Sequence, residues 1–196
     1  MDPDLLITIR ELTDSISEDG ELPLWKRYSL RDLLKRNNDL ERWHVLESIS
    51  AHKVEEIWEQ HFPSSRFPIE LLRIADSVMV GADDVGQLGK LLLETKSALD
   101  EKLLLGEQYF RAVYAGFASW AAARNVVYGS PTISDHSSSE MDIDPEQWDA
   151  SFYASLAWAG GAVWEEVGDA GKRREFWIWF LNEALTQAFS YSTQRG

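Results

Sequence analysis

Cysteine is absent from the 196 residues. That excludes a disulfide framework, Cys-ligated zinc, an iron–sulfur cluster and a cysteine nucleophile. A reducing cytoplasm is the expected setting. Long apolar runs are also missing. The best, Ala112 to Ala123 and Phe152 to Trp164, fall short of the ~18 to 20 residues that a membrane-spanning helix needs. The start, Met1-Asp2-Pro3-Asp4, is acidic and lacks a Lys- or Arg-led apolar core, so it does not read as a signal peptide. Positive charge is scarce: 19 Lys and Arg stand against 33 Asp and Glu, a net charge of −14. A surface of that sign repels phosphate and argues against direct nucleic-acid binding. It suits a basic protein partner. No β-alternation persists beyond a few residues.

Helical period is what the sequence does have. Leu5, Ile9, Leu12 and Ile16 form one apolar stripe that Gly20 ends. Leu22-Pro23-Leu24-Trp25 opens a second segment with Trp25, Tyr28 and Leu33 inward and Lys26, Arg27, Arg31, Lys35 and Arg36 on its other faces. A third helix, capped by Asn38 or Asp39, buries Trp43, Leu46, Ile49, Ile57 and Trp58. Pro63 and Pro68 break the chain, since each disfavours helix in the residue before it. A short helix follows over Ile69–Val80, then one through Leu88, Leu92, Leu99 and Leu103 capped by Asp83-Asp84. Glu107 to Arg124 and Glu146 to Val167 both mix aromatics with Ala, Gly and Ser. Small residues permit close helix approach, so these two are expected at the centre. The last helix starts near Gly171 and carries Phe176, Trp177, Trp179, Phe180, Leu181, Leu185 and Phe189, with Trp177 and Phe180 on its buried side. The expectation is one all-α domain over 1–196, a helical bundle or short α-solenoid of seven to eight helices, with a mobile acidic loop at about 129–145.

Catalytic patterns are sparse. Glu41-Arg42-Trp43-His44 is a single Glu-x-x-His, whereas a carboxylate-bridged di-metal bundle needs two. His44, His52 and His61 lie eight and nine residues apart, about 80° and 180° around a helix, so they do not converge on one ion. No nucleophile elbow or phosphate loop occurs. Gly81 to Gly86 reads as one helix stop followed by the next helix cap. Neither catalytic residues, nor a cofactor, nor a metal are expected, and the nine Trp read mainly as core.

Charge distribution says more. Between Arg124 and Lys172 there is no Lys or Arg, while Asp135, Glu140, Asp142, Asp144, Glu146, Asp149, Glu165, Glu166 and Asp169 contribute −9. A one-signed field speeds encounter with an opposite one. These nine residues are the candidate binding surface, with a solvated loop and helix ends as the alternative. The spacing is not that of a calcium loop.

Three stretches, Gly20-Glu21-Leu22-Pro23-Leu24, Ile57 to Pro63 leading to Pro68 and Leu71-Leu72, and Arg174 to Ala184, occur in an order and spacing that resembles a family of all-α immunity proteins from bacterial polymorphic toxin systems, the fifth immunity family type. The resemblance implies a small cytoplasmic protein, encoded beside a secreted toxin, that binds the toxin domain and blocks it without catalysis. Charge favours a basic toxin, for instance a nuclease. It implies neither direct nucleic-acid binding nor membrane association. Two other readings stay open: a helical-bundle enzyme or ligand-binding protein with a Trp-lined pocket, and a helical adaptor.

Overall fold

The computed structural model describes residues 3–36, 40–130 and 139–193. Among the described residues all regular structure is helical. In chain order there are α1 (Pro3–Asp14), α2 (Leu24–Arg36), α3 (Leu40–His52), α4 (Glu55–His61), α5 (Phe67–Met79) and α6 (Val85–Leu103). A 3-10 turn at Glu107–Tyr109 leads into α7 (Phe110–Tyr128). Two further 3-10 turns, Glu140–Asp142 and Pro145–Gln147, precede α8 (Ala150–Ala159). Finally α9 (Ala170–Trp179) runs through a π turn, Phe180–Ala184, into α10 (Leu185–Thr193).

Helix α7 is the hub. It packs against α3, α4, α5, α6 and α8, while α3 also meets α8 and α10. Contacts between elements so distant in sequence make a bundle, not a solenoid whose units touch only their neighbours. Side-chain size explains the hub. Gly116 lies where α7 meets α4 and α6, and a Cβ there would sit 2.4 Å from Leu99 and 3.1 Å from the Trp58 ring. Ala112, Ala115, Ala118, Ala122 and Ala123 are buried along the same helix. Aromatics fill the space beside the close approach. Phe117 stacks on Tyr153 of α8 at 5.3 Å, an offset pair that contributes roughly 0.5–1.5 kcal/mol beyond its area.

Several local readings change. The third helix is interrupted at Lys53 and Val54, giving α3 and α4. The second small-residue helix spans only Ala150–Ala159, since Gly160 adopts a left-handed φ of 88° and stops it. Trp25 is exposed, not inward, and Arg27 is fully buried. At the end of the bundle, the one extra residue of the π turn lets Phe180, Leu181, Ala184 and Leu185 all face the core.

Candidate functional site

Arg27 organises the interior polar centre. It has no exposed surface. Its Nη1 donates to Leu22 O at 2.7 Å and to Glu140 Oε1 at 2.8 Å, and its Nε donates to Asp149 Oδ2 at 3.1 Å. Glu21 Oε1 lies 3.6 Å from the same guanidinium. Phe152 and Trp177 flank it, with ring centroids 4.9 and 5.2 Å away. Asp149 in turn caps α8, accepting from Phe152 N at 2.7 Å and from the Ser151 hydroxyl. Glu47 of α3 accepts from Ala150 N. Arg173 of α9 lies 3.6 Å from Glu21 and donates to Asp19 O and Gly161 O, both at 2.8 Å. The centre therefore joins the α1–α2 turn, α2, α3, the segment before α8, and α9.

Burial sets the protonation states. It pushes the Glu21 carboxyl up to about 8, with Arg27 opposing the rise. Burial, aided by the charge of Asp149, pushes Glu47 up to about 8 as well. Burial also works against ionised Asp149, but Arg27, Ser151 and the Phe152 N–H overcome it and hold this carboxyl below its ordinary range. Arg27 pairs directly with Glu140 and Asp149, and Arg173 lies against Glu21. A buried network of this kind, whose members come from several elements, is a joint between helices.

The nine candidate acidic residues therefore divide. Asp135 lies outside the described residues, as do residues 131–138 of the expected mobile loop. Glu140 and Asp149 are buried in the ionic centre and unavailable to a partner, which corrects their reading as surface charges. The reason is Arg27: the segment from Ser139 folds inward to reach it. Trp148 Nε1 donates to Glu140 O at 3.0 Å, and the Tyr153 hydroxyl donates to Pro145 O at 2.8 Å, which pins the same segment. Asp142, Asp144 and Glu146 are exposed. Asp142 accepts from Ser139, and Asp144 accepts from Glu146 N at 2.9 Å. Glu146 is 3.2 Å from Lys96 Nζ, so α6 supplies a cation that the local sequence lacks. Asp169 is exposed and caps α9, accepting from Lys172 N at 3.0 Å. Glu165 and Glu166 sit on the α8–α9 connection, well away in sequence from the first group.

Sequence reading missed Arg27, Glu21, Glu47 and Arg173 as buried. One signal was present: Arg27 falls three residues after Leu24 and seven before Leu34, on the stripe those buried leucines define.

Two other features concern ligand binding. A groove of about 460 Å³ is lined by Lys53, Trp158, Arg174 and Trp179, among others. Lys53 Nζ sits 4.8 Å from both indole centroids, so the Trp pair is engaged by the protein's own cation. His52 lies between carboxylates, 3.0 Å from Glu55 and 2.7 Å from Asp76. These hydrogen bonds hold its pKa up to about 10. No cluster of three metal-ligating side chains occurs among the described residues, and no helix among them is long and apolar enough to cross a membrane.

Among protein families, residues 9–187 match the model described as Immunity protein Imm5. No curated protein is a significant match to the chain.

Proposed function

The chain belongs to the Imm5 immunity protein family, which supports a toxin-immunity role, and from that premise we propose that it neutralises a cognate toxin by stoichiometric binding. The reading is of a non-enzymatic inhibitor that works in the cytoplasm. The observation that carries it is family membership over most of the chain. Charge supports it: with Glu140 and Asp149 internally paired, Asp142, Asp144, Glu166 and Asp169 still present exposed carboxylates, and the interval from Arg124 to Lys172 supplies no cation. A basic toxin domain suits that field, which acts mainly on association rate and weakens with salt. Inhibition is steric, by covering or locking the toxin's active site. The buried ionic centre keeps the helices that present this surface in register.

The test is co-expression with the toxin domain encoded beside this chain. Growth should be rescued, and the two proteins should co-purify as a complex of fixed stoichiometry. Continued toxicity at equimolar expression, with no complex, would contradict the reading.

A further inference from the structure

Between the start of α7 and the α8–α9 connection lies a groove of about 570 Å³, lined by Glu107, Phe110, Arg111, Glu165, Glu166 and Val167 among others. One wall is fixed in advance. Glu165 accepts from the Tyr114 hydroxyl at 2.7 Å and from Ala162 N at 2.8 Å, so both its oxygens are used within the fold. Asp169 N donates to Ala159 O at 3.0 Å and closes the base of the connection. Arg173 reaches from the ionic centre to Gly161 O. The turn is tight enough that a Cβ on Gly168 would lie 2.8 Å from Ala162 O. This connection is thus a rigid hairpin-like turn with its apolar tip outward: Val167 is 75% exposed and Trp164 40%.

Charge across the groove is net acidic, with Glu107, Glu165 and Glu166 against the single cation Arg111. Arg111 donates its Nε to Ala157 O at 2.9 Å and is held against α8. Glu107 and Glu166 are exposed, and neither side chain has a hydrogen-bond or ion-pair partner among the described residues. Leu104 and Leu105, which directly precede the Glu107 turn, are 86% and 48% exposed. Apolar surface held in a fixed geometry and edged by charge marks an interaction site. Two copies of this chain meeting here would bring together two surfaces of the same net negative sign. Charge complementarity selects a basic partner.

The geometry points to this groove as the docking site for a toxin segment that carries a Lys or Arg beside an apolar side chain. The cation meets Glu107 and Glu166 on the rim. The apolar neighbour packs on Phe110 and Val167, with Trp164 as the aromatic anchor alongside. The inference rests on the proposed toxin-binding role and adds the surface and the chemistry of its occupant.

The probe is the catalytically inactivated toxin domain encoded beside this chain, titrated against the full-length protein. The Glu107→Lys/Glu166→Lys double reversal should weaken binding about a hundredfold, through slower association, as for any rim charge, and through faster dissociation as well, because the close ion pairs are lost. Val167→Ser, which changes no charge, should weaken it about tenfold. The Asp142→Lys/Asp144→Lys control should slow association and leave dissociation unchanged. Thermal melts within a few degrees of wild type establish that the variants are folded. If wild type binds and both groove variants keep its Kd within about twofold, the docking site is elsewhere. Should those variants instead abolish a self-association seen by sedimentation while toxin binding persists, the occupant is a second copy and the proposal falls. If wild type itself does not bind the probe, the toxin-binding premise fails, a result distinct from either.

Discussion

Arg27→Met removes the guanidinium from the ionic centre with little change of volume. Glu140 and Asp149 then remain buried, one 2.8 Å and the other 3.1 Å from where the cation stood. Breaking a buried pair from one side typically costs about 3–5 kcal/mol, because an uncompensated charge stays behind. Packing changes less, since a Met sulfur makes favourable contacts with rings such as Phe152 and Trp177. Against the ~5–15 kcal/mol of an ordinary domain, a loss of about 3–5 kcal/mol removes roughly a fifth of the stability or more. Urea denaturation at pH 7 measures this. The pH dependence identifies the cause. The folded-state pKa of Asp149 is depressed, so it contributes stability above its unfolded pKa that is lost as pH falls through the folded one. Without Arg27 that pull is gone. The gap between wild type and variant should be widest near neutrality and narrow below about pH 4, where carboxylates protonate anyway. Adding Glu140→Gln and Asp149→Asn should recover part of the loss. A deficit under about 1 kcal/mol at pH 7, or a gap that stays constant down to pH 3, would refute the assignment of Arg27 as the electrostatic keystone.

Glu21 and Glu47 titrate in the opposite sense. Their raised pKa values mean that the folded state binds more protons than the unfolded between about 4.5 and 8, so both carboxyls cost stability as pH rises through that window. Glu47→Gln should be near wild type at pH 5 and more stable than wild type at pH 8.5, and a pH-independent difference in denaturation midpoint would contradict this. His52 gains stability from its two carboxylates that is complete below its unfolded pKa of 6.5 and lost as pH rises through about 10; its imidazole resonances should still report the doubly protonated ring at pH 8. Trp177→Ala removes a fully buried indole and should cost about 3–5 kcal/mol, read as a lower urea midpoint. Gly20→Ala should destabilise by more than about 2 kcal/mol, because Gly20 has φ +83° and its Cβ would collide with the Ala170 carbonyl; a melting temperature equal to wild type would show that the α1–α2 turn moves freely.

Class and centre were legible in sequence because they rest on period and size. Apolar residues at helical spacing gave an all-α chain, and the Ala- and Gly-rich texture around Gly116 and Ala154 marked two buried helices that pack extensively against each other. Asp84, Asp149 and Asp169 cap helices by bonds to residues three positions on, a local geometry readable from spacing. The acidic surface was not legible. Whether a carboxylate faces water or a buried cation depends on residues far away in the chain: Glu140 and Asp149 find Arg27, 113 and 122 positions earlier, and Glu146 finds Lys96. Local charge counting treats all nine acids alike. Tertiary structure separates them, because long-range packing decides which are desolvated and paired, and which, like Glu166, stay free at a rim beside exposed apolar surface.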